Sequence, residues 1–249
     1  MNLTIRFSAL VLAIFGFAAA ASAQDLLHME RPVPTGATAR SIEGRVWIGQ
    51  TTLKARSDFW DDNFQNFDAN RSKLNGLSFG FDWIDHFDRY NALMLSLGIN
   101  LNTLNEPARN VLDENGDPLE HHLTLDTFSL TGGYLLYPAG TGHRLIPYLG
   151  AGAGLYAGTL NSYRTSFTTD DCDEDGNCTT QFVDSNKSDF ATFGYFALAG
   201  LEVPVSPHVA LAVEERYTVA HANLGSDFKD NSHLDLSGQQ LIAAVTLHF

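Results

Sequence analysis

Gln240-Leu241-Ile242-Ala243-Ala244-Val245-Thr246-Leu247-His248-Phe249 ends the chain. Side chains of an extended strand point alternately to its two faces. Leu241, Ala243, Val245, Leu247 and Phe249 therefore share one face, and Gln240, Ile242, Ala244, Thr246 and His248 share the other. The first face is apolar throughout and the second is mostly small or polar.

The same rhythm recurs upstream. In Tyr90 to Leu101, Leu93, Leu95, Leu97, Ile99 and Leu101 oppose Ala92, Met94, Ser96, Gly98 and Asn100. Leu77, Phe79, Phe81 and Trp83 alternate with Gly76, Ser78, Gly80 and Asp82. Pro147 to Gly158 sets Leu149, Ala151, Ala153, Leu155 and Ala157 against Gly150, Gly152, Gly154, Tyr156 and Gly158. Weaker versions cover Ser41–Leu53, Leu125–Tyr137, Asp189–Val203 and Val209–Val219, which makes eight strands in all.

The connections alternate in length. Long polar ones are expected near Lys54–Ser72, Asn102–His122, Thr159–Ser188 and Ala220–Leu236, and short ones at Ile84–Arg89, Pro138–His143 and Pro204–His208. Long loops on one side and tight turns on the other are the pattern of an up-and-down transmembrane barrel. An open sheet in lipid would leave a backbone edge unpaired, so the sheet must close. The lumen of an eight-stranded barrel is only wide enough for side chains. The small and charged face then points inward and the large apolar face meets lipid. A water-soluble barrel would show the reverse. The fold expected is all-β: an eight-stranded antiparallel up-and-down transmembrane β-barrel over residues 41–249.

The N-terminus has the three parts of a secretory signal. Arg6 supplies a positive charge, Phe7 to Ala21 is uncharged and mostly apolar, and Ala21-Ser22-Ala23 offers small residues for cleavage before Gln24. The apolar run is short for a bilayer-spanning helix. Residues 1–23 are thus expected to be a cleaved signal peptide and 24–40 a periplasmic linker. The formal net charge is −14, and Arg6 is the only charged residue before Gln24, so the mature chain would carry −15. Phosphate recognition requires clustered Lys and Arg, which argues against a nucleic-acid partner.

These features resemble the small outer-membrane barrel superfamily of the OmpA transmembrane domain, OmpX, OmpW and the opacity-type proteins. The residues that carry the resemblance are Pro147-Tyr148-Leu149-Gly150-Ala151-Gly152-Ala153-Gly154, Ala199-Gly200-Leu201-Glu202-Val203, Glu214-Glu215-Arg216-Tyr217-Thr218 and the terminal Ala243 to Phe249. The resemblance implies outer-membrane lipid and lipopolysaccharide as surroundings. It also implies that Val245, Leu247 and Phe249 form the signal read by the barrel assembly machinery. Relatives often carry an aromatic where Glu215 stands. Strict alternation puts this carboxylate on the lipid face, where it must lie at headgroup height, enter a subunit contact or be turned inward by a bulge.

Candidate sites are few. Glu43, Arg45, Asp82, Glu202, Glu214 and Arg216 all fall on inward faces. Buried charges need partners, and both signs are present, so an ion-pair network filling the lumen is expected ahead of a pore or polar relay. Cys172 and Cys178 lie close together in an exported chain and are expected to form a disulfide. Between and beside them, Asp171, Asp173, Asp175 and Gly176 open a calcium-loop pattern, but Phe182 stands where its bidentate Glu is required. Asp113 to Asp117 is a second acidic turn with less of that pattern. No cofactor is expected.

Outer-membrane lipid A deacylases share this architecture and use a His-x-Ser pair. Here His221 is followed by Ala222 and Asn223, and Ser232-His233 has the wrong spacing. His121-His122 reads as solvated surface. Phe59, Trp60, Phe64 and Phe67 stud the first long loop and are expected to fold onto the barrel mouth or dip into lipid, with a partner surface as the alternative. The function expected is an integral structural or surface-interaction role carried by the outer loops. The alternatives are a narrow transport barrel for small or hydrophobic solutes and, behind it, a lipid-modifying enzyme.

Overall fold

The computed structural model describes residues 41–66, 74–112, 118–172, 178–225, 228 and 233–249, with only the backbone described at 66, 108–112, 118–120, 164–172 and 178–185. The signal and linker expected at 1–40, Phe67, the acidic turn at 113–117 and most of the acidic stretch between the cysteines lie outside the described residues.

The strands are β1 (Ser41–Leu53), β2 (Asn75–His86), β3 (Asn91–Leu112), β4 (Pro118–Leu136), β5 (Ile146–Cys172), β6 (Cys178–Ser206), β7 (Val209–Asn223), β8 (His233–Asp235) and β9 (Gly238–His248). One helix, α1 (Asp58–Asn66), follows β1. Each strand from β1 to β7 pairs antiparallel with the next, and β9 pairs with both β7 and β1, so the sheet closes on itself.

The count of eight holds although nine segments are numbered. β8 and β9 continue one register against β7: His221 faces Asp235, and Thr218 faces Gly238. The break falls at Leu236-Ser237. There the Ser237 hydroxyl accepts a hydrogen bond from the Ala220 backbone N–H (3.3 Å), and Leu236 N–H donates to Ala220 C=O (3.0 Å). Ser237 C=O is thereby left to accept from Lys54 N–H at 2.8 Å.

The barrel is inside-out relative to a soluble protein. Leu93, Leu95, Leu97, Phe79, Phe81, Trp83, Leu130, Tyr134 and Tyr195 are all exposed on the outer wall, while Ser78, Asp82, Ser96, Thr131, Glu202, Glu214 and Thr246 are buried. An exposed apolar belt of this size suits hydrocarbon and no aqueous surface. Inward glycines make room for aromatics from neighbouring strands. A Cβ at Gly80 would lie 2.3 Å from the Trp47 ring, and one at Gly200 would lie 2.3 Å from the Tyr148 ring. The two rings therefore lie flat across the lumen over bare backbone.

The expected long loops need correction. Residues 102–112 and 118–122 belong to β3 and β4, and residues 159–172 and 178–188 belong to β5 and β6. These stretches look polar because the alternation inverts where the apolar belt ends. On β3, Leu101 faces outward below the change, whereas above it Thr103 and Asn105 face outward and Leu104 is buried. On β4, Leu123 and Leu125 are buried and Asp126 is exposed, but one turn of the pleat further Phe128 is exposed and Thr127 buried. Outside the bilayer the solvent is water, so the large apolar residues turn inward.

The inverted stretch encloses an apolar plug. Leu104, Leu123, Leu125, Leu160, Phe190, Leu224 and Leu234 pack with Phe59 and Trp60 of α1. Ser57 precedes this helix, and Asp58 and Asp61 lie in its first turn, where carboxylates favour the positive end of the helix dipole. The first long connection is thus partly helical, and its aromatics cap the mouth as the sequence suggested.

Candidate functional site: the closed lumen

Five of the six inward charges form one network. Arg45 Nη2 lies 3.3 Å from Glu202 and Nη1 lies 3.4 Å from Glu214. Its Nε donates to Thr246 Oγ1 at 3.2 Å, and its Nη1 also donates to the Tyr148 hydroxyl at 3.2 Å. The Tyr148 hydroxyl donates in turn to Glu214 Oε2 at 3.1 Å. On the far side of Glu214, Arg216 Nη2 approaches Oε1 at 2.8 Å and Asp82 at 3.7 Å. The Trp47 indole N–H donates to Asp82 at 2.9 Å.

Glu214 is the centre of the arrangement, since each of its oxygens meets a different guanidinium. Placing like charges at separate corners of an alternating array lowers the cost of burying all of them. The arginines come from β1 and β7 and the acids from β2, β6 and β7, so the network ties distant strands across the lumen. Side chains fill this level from wall to wall.

Glu43 stands apart. Its Oε1 lies 3.0 Å from both His86 Nε2 and His248 Nδ1, at the end of the barrel where β2 and β9 finish. Both histidines escaped notice in the sequence. His248 did fall on the inward face there, but His86 lay past the last clear alternation of its strand. Below the network, Ile84, Met94, Leu135, Tyr137, Ile146, Phe196 and Leu198 make an apolar floor.

Glu215 is exposed and the ladder runs through it without a bulge: it faces Ala199 on one side and Leu241 on the other. Gln239 Nε2 donates to its Oε1 at 3.4 Å. Gln239 is the first polar outward residue of β9 after the apolar series from Phe249 to Leu241. The next outward residue of β7, Tyr217, carries the Lys54 ammonium over its ring at 4.3 Å. The carboxylate therefore lies at the outer edge of the apolar belt, and no bulge turns it inward.

His121 is buried, not solvated, and its Nε2 lies 2.9 Å from Ser162 Oγ. The reason is that β4 continues through this stretch, and His121 falls on its inward side with Leu123 and Leu125. His122 points outward, with Nδ1 2.8 Å from Asn105 Oδ1 and its ring stacked on Tyr163. His221 is exposed and lies 3.6 Å from Asp235. The cysteine side chains lie outside the described residues, but the β5–β6 ladder resumes at Cys172 opposite Cys178.

An inside-out, eight-stranded closed sheet with a filled, charged lumen defines a small transmembrane β-barrel. Comparison with solved structures gives the same fold. The chain is similar to the outer membrane protein OprG of Pseudomonas aeruginosa, with a TM-score of 0.51 and 11% identity over 86% of this chain and 98% of that one. Neisserial surface protein A matches with a TM-score of 0.49 and 14% identity over 84% and 97% of the two chains. Ail, the attachment invasion locus protein of Yersinia pestis, matches with a TM-score of 0.42 and 12% identity over 85% and 99%. The chain has the fold of the small outer-membrane barrels. No protein-family model and no curated protein sequence matches it.

Proposed function

We propose that this protein is an integral barrel of a Gram-negative outer membrane whose role is structural or surface-interacting, with no open channel. Residues 1–23 direct export and are removed. The assembly machinery recognises the last strand through Val245, Leu247 and Phe249, and lipopolysaccharide surrounds the outer half of the belt.

The observation that carries this reading is the continuation of β3 to β6 past the belt. Beyond Asn102 and before Gly194, β3 and β6 have no partner on their outer sides among the described pairings. The result is a four-stranded sheet with two edges, standing on the side where the loops are long. Unpaired strand edges offer backbone donors and acceptors to an extended partner chain. The lumen, by contrast, is closed at three levels by the apolar floor, the arginine–carboxylate network and the plug under α1.

Planar-bilayer recording on purified, refolded protein tests the reading. The expected result is no steady conductance. Stable, reproducible channels would replace it with the transport alternative.

A further inference from the structure

The lipid-facing wall is not uniform. Across it run Trp83, Leu95, Gly132, Ala153 and Tyr195, paired strand by strand from β2 to β6. Gly132 is exposed there, between the exposed Leu130 and Tyr134 of its own strand. Nothing among the described residues requires a glycine at this place. Every other glycine of the described strands would bring a Cβ to 3.4 Å or closer to a neighbour, whereas at Gly132 the nearest atom is Met94 O at 3.9 Å. Its φ is not in the positive range either, where Gly140 is the glycine found. The missing side chain opens a furrow of about 530 Å³, walled by Trp83, Leu93 and Leu95 and floored by the backbone of Gly132 and Gly133. Pockets that hold small ligands span roughly 300–1,000 Å³.

Asp85 is the charged group of the lining. It is the last residue but one of β2, beside a short turn and so at the periplasmic end of the belt. Its ladder partners are Ile42 and Leu93, and Trp83 precedes it on the same face, so apolar side chains surround this carboxylate on the outer wall. It is half-buried, and hydrocarbon offers such a group no counter-charge.

We propose that this furrow holds one phospholipid of the periplasmic leaflet, with an acyl chain along Gly132 and a primary ammonium headgroup on Asp85. The lipid class follows from the two ends of the site. Hydrocarbon fills the space that a side chain would take over Gly132 and restores contacts to Trp83, Leu93 and Leu95. The ammonium brings N–H donors and positive charge to the carboxylate. A quaternary ammonium has no N–H to give, and an anionic headgroup is repelled, so both bind less well. The site lies outside the lumen and does not depend on whether the lumen conducts.

Trp83 senses the furrow directly. Of the three tryptophans, Trp47 and Trp60 are buried and Trp83 is 46% exposed. Refolded protein in phosphatidylcholine vesicles receives a minor fraction of phospholipid brominated on its acyl chains, with an ethanolamine, choline or glycerol headgroup. Quenching of tryptophan fluorescence is read after subtraction of the Trp83→Phe background. The ethanolamine lipid is expected to quench Trp83 as though concentrated about fivefold over the choline lipid, the effect of one partly screened ion pair. Asp85→Asn, which keeps the shape, is expected to abolish the preference, and Gly132→Leu to remove it by filling the furrow. Gel mobility before and after heating shows whether each variant folds, and the asparagine variant decides where the leucine variant does not. Equal quenching by the three headgroups would overturn the proposal, as would a preference that persists in Asp85→Asn. Quenching by none of them would mean that a second copy of the chain covers Trp83, and would overturn it too.

Discussion

The Trp60 indole N–H donates to the backbone carbonyl of Asp235 at 3.0 Å, which fastens the helix after β1 to the strand before β9. Asp235 holds the same segment in two more ways. Its carboxylate accepts from Arg56 N–H at 3.0 Å, and its own N–H donates to Ser57 Oγ at 3.3 Å. The Trp60 ring itself is fully buried in the plug.

Trp60→Ala should therefore release α1 without opening the barrel. Truncating a buried Trp commonly costs about 3–5 kcal/mol. That loss falls on docking of the cap, because the strand ladders do not pass through it. Trypsin should cut the variant faster after Lys54 or Arg56, and the folded and heated forms should still differ in gel mobility. Unchanged cleavage would mean that α1 is held by other contacts.

Glu214 is the acid shared by Arg45 and Arg216, so Glu214→Ala leaves two buried guanidinium groups short of a partner. Removing one member of a buried ion pair is expected to cost about 3–5 kcal/mol. The midpoint of urea unfolding in lipid vesicles should fall accordingly. A matched change at the exposed Glu215, Glu215→Ala, should move it far less.

Asp88 sits in the turn between β2 and β3, outside the belt. The Asn91 side-chain amide donates to its carboxylate at 2.9 Å and Tyr90 N–H donates at 2.6 Å, and these bonds hold its pKa below the ordinary aspartate range, the Asn91 contact most strongly. A depressed folded pKa means that the turn gains stability above the unfolded value and loses it as pH falls through the folded one. A carboxyl titration by NMR should place the Asp88 midpoint below about 3.9. In Asn91→Ala the midpoint should rise toward that value.

Opposed residues of an antiparallel pair have Cα atoms about 4.5–5.5 Å apart, within the span of a disulfide. The ladder position of Cys172 opposite Cys178 supports a bridge between them. Mass spectrometry of protein isolated from outer membranes should find the two thiols joined. The double Cys→Ser variant should still insert and remain heat-modifiable, because the bridge closes a hairpin end far from the belt. Free thiols in the isolated protein would rule the bridge out.

Phe249 is the last residue of the ladder: its N–H donates to Ile42 C=O at 3.0 Å, and its side chain is exposed beside Val245 and Leu247 on the outer wall. Little folded-state packing would be lost in Phe249→Ala. A marked fall in outer-membrane levels, with normal heat stability of the protein that does insert, should follow if the side chain is read during assembly. Levels equal to those of Asn223→Ala would remove that role.

Alternation alone placed Leu93 to Leu101 on the outside and Asp82, Glu202, Glu214 and Arg216 on the inside, because a period of two admits only two faces and lipid accepts only one of them. It also fixed the strand order, since short turns leave neighbours in sequence no choice but to pair. The same rule misled at Leu104, Leu123 and Leu125. There the pattern continues with its sign reversed, and a reader expecting one solvent sees only polar loop. The α1 helix was hidden for a related reason: its aromatics are interleaved with as many acidic residues, and nothing local shows that Phe59 and Trp60 find a socket.

The sequence by itself determined a closed, inside-out barrel and the face of the residues within the apolar belt, because those follow from backbone pairing and transfer of side chains between water and lipid. Only the tertiary structure decided which charges meet. Glu214 reaches both Arg45 and Arg216 while Glu43 turns to His86 and His248. Those outcomes depend on the stagger of strands around the ring, which sets heights along the lumen to within a few ångströms and leaves no trace in the alternation of any one strand.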